Sequence, residues 1–132
     1  MMIKINPDKQ KAKSLHDMSL ITLERLKETE LEKYPSNSLT DYYDIVRKLM
    51  EALNFLEGVK IKGEGAHLKI IDHVCKKYNL SESTRIFLQE MRDYRNRISY
   101  EGFYVNKNYI SLNKDKIESI INQLNNLIIK SF

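Results

Sequence analysis

Apolar residues recur every three or four positions along most of the chain, which is the spacing of one buried face of an α-helix. Leu15, Met18, Thr22 and Leu26 trace the first such face. Asn6 and Pro7 read as an N-cap and a first helical position, so the spacing predicts a helix over 7–33. Tyr34-Pro35-Ser36-Asn37-Ser38 is expected to break it, because proline biases the residue before it away from helix and Ser and Asn favour turns. Tyr42, Ile45, Val46, Leu49, Leu53 and Leu56 carry a second face, in a helix opening at Ser38 or Thr40 and closing at Gly58. A third helix is predicted over 66–78, with Leu68, Ile71, Val74 and Cys75 inward and Asn79 as its stop. Ser81 is the expected N-cap of a fourth, whose stripe is Phe87, Leu88, Met91, Tyr94 and Ile98 and which should end before Gly102. Residues 103–110 hold strand formers around a polar turn and read as extended chain or a short hairpin. The last helix is expected over 114–131 after an Asn113 cap, with Ile117, Ile120, Ile121, Leu124, Leu127 and Ile128 on the clearest face in the chain.

Short connections between such helices predict an all-α fold, an antiparallel four- to five-helix bundle in one domain spanning 1–132. Composition agrees. With 42% hydrophobic and 30% charged residues the chain is globular, and 4 Gly and 2 Pro are too few for a fold of many tight turns. No apolar run is long enough for a transmembrane helix, and the opening MMIKINPDKQKAK lacks the apolar stretch of a signal peptide, so a cytoplasmic protein without membrane contact is expected. A single cysteine excludes an intrachain disulfide. The net charge of +4 is compatible with an anionic partner without requiring one.

Candidate chemistry concentrates at the end of the fourth helix. Arg95 lies four residues after Met91 and three before Ile98, so a guanidinium sits inside an apolar stripe, where it must be paired or face a cleft. Asn96 and Tyr100 are four apart and share a face, with Asp93 one turn earlier. Guanidinium, amide and phenol thus gather near a helix end, and a guanidinium's planar double donor suits phosphate. Two alternatives stay open on spacing alone. Arg95 bridges helices by pairing with Asp93 or Asp44, or it binds an anion. Arg85, Arg92 and Arg97 add charge to the same helix, as a solvated face or a nucleic-acid contact.

Residues 95–102, RNRISYEG, resemble the signature of HEPN domains, small helical bundles that accompany minimal nucleotidyltransferases or act as RNA-cleaving toxins. That signature is an arginine, often followed by asparagine, with a histidine after four to six residues. Arg95 and Asn96 match its start and Tyr100 stands at the histidine position. The Leu-Glu-Gly end of the second helix and His67 at the start of the third fit the same order, and the resemblance covers about residues 7–130. It implies a toxin-like or partner component of a two-protein module with a nucleotidyltransferase, a homodimer, and RNA or nucleotide phosphate bound by Arg95, Asn96 and Tyr100, with Arg92 and His67 lining the same cleft. Catalytic members use the histidine near neutrality. Tyrosine ordinarily titrates near 10 and is a poor base there, so RNase activity carried by Arg95 and Tyr100 is expected to be weak or lost. In some toxin–antitoxin pairs a tyrosine two residues past the histidine is modified. Gly102 holds that position here, which leaves Tyr100 and Tyr104 as bare candidates.

The remaining reactive side chains read as structural, except that His67 either caps and packs locally or lines the cleft. His16 lies mid-helix, His67 and His73 are six apart rather than at the i, i+4 spacing of helical metal ligands, and Cys75 lies on an apolar face. No metal and no cofactor is expected. The rival readings are a non-catalytic nucleotide- or RNA-binding module and a purely structural helical subunit.

Overall fold

The computed structural model describes residues 1–132. It is all-α, with five helices: α1 (Lys9–Lys27), α2 (Pro35–Glu57), α3 (Ala66–Lys77), α4 (Glu82–Glu101) and α5 (Lys107–Ser131). Two short strands, β1 (Met2–Lys4) and β2 (Val59–Ile61), pair antiparallel with Ile3 opposite Lys60. No helix is long and apolar enough to cross a membrane.

The central element is α2. Leu39, Tyr42, Ile45, Val46, Leu49, Met50 and Leu53 are buried on more than one side of it, because α1, α3, α4 and α5 all pack against it. From α5 the residues Ile117, Ile120, Ile121, Leu124 and Ile128 complete the core, and from α4 Phe87, Leu88 and Met91 do. Ser81 caps α4 by accepting from Thr84 N at 3.1 Å, as its sequence predicts. Asn79, at φ 55°, and Gly58, at φ 89°, stop their helices in the left-handed region.

Four boundaries differ from the sequence expectation, each for a local reason. α1 opens at Asp8 rather than Asn6. Asp8 Oδ1 accepts from Lys11 N at 2.9 Å, while its own N–H donates to Phe55 O at 3.0 Å. That second bond holds residues 5–8 against the end of α2. α1 also closes at Lys27 instead of 33, and α2 opens at Pro35. Proline begins the helix there rather than breaking it, because the first helical position needs no N–H donor. α5 starts seven residues early. Asn106 Oδ1 caps it by accepting from Asn108 N at 2.8 Å, whereas Asn113 lies inside the helix and donates to Tyr109 O at 2.8 Å. No hairpin forms, and of the extended chain expected over 103–110 the part from Lys107 onward is helix. Residues 103–105 are a short extended link fastened by Val105 N–H donating to Ser36 Oγ at 2.9 Å.

Two inward assignments also shift. Met18 and Leu68 are exposed. The buried face of α1 is instead Ala12, Leu15, His16, Ser19 and Leu26, whose small residues let α1 and α2 approach closely. His16 is buried there, hydrogen-bonded to Asn125 of α5.

Candidate functional site

Where α2, α3 and α4 meet, the apolar packing gives way to a polar seam. From α2 it takes Tyr43, Arg47 and Glu51, four residues apart and so on one face. Arg47 is neutralised by Asp44 at 3.1 Å and Glu51 at 3.8 Å. From α4 it takes Arg92 and Arg95, one turn apart. Arg92 Nε donates to Gln89 Oε1 at 3.3 Å and Arg95 Nη1 to Asn96 Oδ1 at 3.3 Å, and neither guanidinium meets a carboxylate. Gln89 Nε2 ties α4 to α3 by donating to Leu68 O at 3.2 Å and Asp72 Oδ1 at 3.1 Å.

The choice between a solvated charge run and a site rests on how the four α4 arginines are used. Arg85 is held by Glu82 and Asp72. Arg97 lies over the Phe103 ring, 4.3 Å from its centroid, beside the stacked Tyr94. Arg92 and Arg95 alone lack such a partner. The strut reading of Arg95 is not what the structure shows, since Asp44 is taken by Arg47 and Lys48 and Asp93 points to solvent.

Two neutral groups face these cations. His67 is half-buried at the start of α3. Burial lowers its pKa, and the charges of Arg47, Arg95 and Arg92 lower it further, so the imidazole is uncharged at pH 7. Tyr43 is 1% exposed and its hydroxyl has no hydrogen-bond partner. Burial pushes that phenol up to about 12 although Arg92, Arg47 and Arg95 all favour the phenolate. The phenol therefore keeps its proton and can donate it. Two unpaired guanidiniums, a buried O–H without an acceptor and a neutral imidazole form a set of donors for an oxyanion. A buried unpartnered hydroxyl is destabilising by itself, and a bound acceptor relieves it.

Of the residues named from sequence, the structure gathers Arg92, Arg95 and His67 into this seam and keeps Asn96 as the acceptor for Arg95. Tyr100 is elsewhere. It is 80% exposed and hydrogen-bonds to none of them, because five helical residues turn it by about 140° from Arg95. Tyr104 is 87% exposed. Tyr43 and Arg47 were missed. Their only sequence signal is a Tyr, Arg, Glu series at intervals of four along α2, which reads equally as the flank of an apolar stripe.

A cavity of about 560 Å³ lies away from the seam, between the 28–33 turn and α5. Its charged lining balances, Lys27, Lys33 and Lys114 against Glu30, Glu32 and Glu118, and there Tyr42 donates to Glu118 at 3.4 Å, so no net charge defines a ligand. Cys75 is buried, with a thiol pushed up to about 11 by that burial. No three His, Cys, Asp or Glu side chains are placed to hold a metal ion. Comparisons with family models, with curated proteins and with solved structures gave no match.

The seam has a pH signature. His67 binds its proton more weakly in the folded chain than unfolded, so the unfolded state takes up more protons and stability rises with pH through that window. Lowering the pH from 7 through the ordinary histidine range near 6.5 is expected to destabilise the fold. His67→Gln should flatten that part of a melting-temperature profile, and an unchanged profile would show that neither burial nor the arginines weaken its hold on the proton.

Proposed function

We propose that this protein is a HEPN-like helical module that binds the phosphate of RNA or of a nucleotide in the seam between α2, α3 and α4. The observation that carries the reading is the pair Arg92 and Arg95, without carboxylate partners, facing the buried, unpartnered hydroxyl of Tyr43. Arg92 and Arg95 supply planar donors, Tyr43 an O–H, and His67 a proton acceptor that becomes a further cation when a dianion sits beside it. Asn96 orients Arg95. Tyr100, on the exposed last turn of α4, serves as a contact to the rest of a longer ligand. The resemblance of residues 95–102 supports the partnership with a nucleotidyltransferase in a two-protein module and a homodimeric assembly.

Binding of a short single-stranded RNA, followed by fluorescence anisotropy against salt, tests the phosphate reading. Its logarithmic salt slope should fall by about one unit in Arg95→Ala. Light scattering should give twice the chain mass, and a monomer at high concentration removes the dimer. Co-purification with a nucleotidyltransferase expressed beside it tests the partnership.

A non-catalytic binder is favoured over a nuclease by the position of Tyr100, whose solvent-facing ring has no hydrogen-bond partner to activate it. Incubated with mixed RNA, the protein is expected to leave it intact. Cleavage abolished by Arg95→Ala would overturn this.

A further inference from the structure

Arg92 and Arg95 bring to the seam two positive charges that no carboxylate pairs with, whereas Arg47 already has Asp44 and Glu51. Both guanidiniums and the His67 imidazole are partly exposed, so a ligand reaches all three from the surface. His67 adds donors of a second kind. The backbone N–H groups of His67 and Leu68 have no acceptor in the chain, and Gly65, at the cap position of α3, has no side chain to take them. Uncapped amides in a first helical turn favour an anion. Here they belong to the residue whose ring the charges of Arg47, Arg95 and Arg92 already reach.

The charge count separates two kinds of phosphate. A diester linkage inside an RNA chain carries a single negative charge, so one of the two guanidiniums stays without a counter-charge. A terminal phosphomonoester carries about −1.5 to −2 at pH 7 and presents three acceptor oxygens. It answers both guanidiniums and keeps an oxygen for the α3 side.

His67 responds to the same difference. Burial, with Arg47 on α2 and Arg95 and Arg92 on α4, keeps the imidazole neutral. Glu51 of α2 is engaged with Arg47, and Lys60 of β2, Glu64 and Lys69 are exposed. A dianion that cancels the two free guanidiniums removes their opposition to the imidazolium, so the ring takes up a proton as the ligand binds. A monoanion cancels only half of that charge.

We infer that the seam is a receptor for a terminal phosphate, the phosphomonoester of a free nucleotide or of an RNA end, in preference to the diester linkages of an RNA chain. The inference rests on the phosphate reading above. Arg92 and Arg95 hold the phosphate oxygens, and His67 beside them favours the doubly charged form.

Titration calorimetry of the whole chain with short oligouridylates tests it. Phosphorylated at the 5′ or at the 3′ end, one of the two forms is expected to bind at least about tenfold more tightly than an unphosphorylated oligouridylate lengthened to the same total charge. That control removes the general attraction of a basic protein for RNA. Arg95→Ala should abolish the preference, and Arg92→Ala should act alike. In two buffers of different ionisation enthalpy at pH 7, binding of the preferred form should take up protons, and His67→Gln should remove that uptake. Adenosine 5′-monophosphate alone identifies the source, the tighter of nucleotide and RNA end being the ligand the site serves. If no phosphorylated form outbinds the control while Arg95→Ala weakens them all, the terminal-phosphate assignment is overturned and the phosphate reading stands. A preference that survives Arg95→Ala overturns it too, by placing the terminal phosphate elsewhere. If nothing binds, the phosphate reading itself fails and this inference goes with it.

Discussion

Arg92→Ala combined with Arg95→Ala should weaken the binding of a short single-stranded RNA by at least about a hundredfold, since hydrogen bonds to charged groups contribute about 1.5–3 kcal/mol each. The same double variant should melt no lower than the parent. Both side chains are half-buried and neither is in an ion pair, so their removal leaves no counter-charge behind. Removing a true internal strut gives the opposite signature, because breaking a buried pair costs about 3–5 kcal/mol. An RNA titration beside a thermal melt therefore decides the matter. Unchanged affinity, or a steep loss of melting temperature, would rule out an anion site built on these arginines. Tyr43→Phe offers a finer cut in the same assay. It should leave the fold as stable or more so, by removing the unpartnered hydroxyl, yet lower the affinity.

The second large effect is expected at Gly58, where a backbone demand and a close approach coincide. Its φ of 89° is left-handed, and an added Cβ would lie 2.9 Å from Ile5 O and 3.2 Å from the Pro7 ring. Ile5 N–H also donates to Gly58 O at 2.9 Å, so the two backbones are locked face to face. Gly63, at φ 97°, has open space around the same position. Gly63→Ala should thus lose only the conformational penalty, about 1–2 kcal/mol. Gly58→Ala adds a clash with backbone that cannot swing aside, for a total of about 3 kcal/mol, or roughly 10 °C in melting temperature for a chain of this size. Equal losses at the two glycines in thermal melts would contradict the close packing of residues 5–8 on the end of α2.

How much of this was legible beforehand differs by level. The faces of α2, α4 and α5 were, because a three-to-four residue period sustained over several turns has few other readings. Helix starts were less so. Asn106 and Asn113 are both followed by helix formers, and only the bond from Asn108 N–H distinguishes the true cap. Pro35 has opposite meanings at the end of one helix and the start of the next, and sequence does not say which applies. The three-residue strands are too short to show a period of two. At the site, Arg95 announced itself by lying inside an apolar stripe. Arg85 takes Glu82 from its own helix, three residues away, which spacing allows, but that it also takes Asp72 while Arg92 and Arg95 take no carboxylate is a property of how α3 lies against α4. Tyr42 and Tyr43 are adjacent and equally buried, yet one hydroxyl reaches Glu118 and the other reaches nothing, a difference that no spacing rule contains.

The short ladder between β1 and β2 bears on the order of assembly. Its outer hydrogen bond, from the Met1 amine to Lys62 O, joins groups 61 positions apart, whereas α1 with α2 and α3 with α4 are neighbours in sequence. Contacts between sequence neighbours form early, and long closures wait until the intervening chain is already compact. The ladder is then the last piece to close and, with only three residues a side, the first to open while the helices stay folded. Val59 and Ile61 also wall a cleft beside Asn54, so when this ladder opens that cleft widens while the helical bundle stays intact.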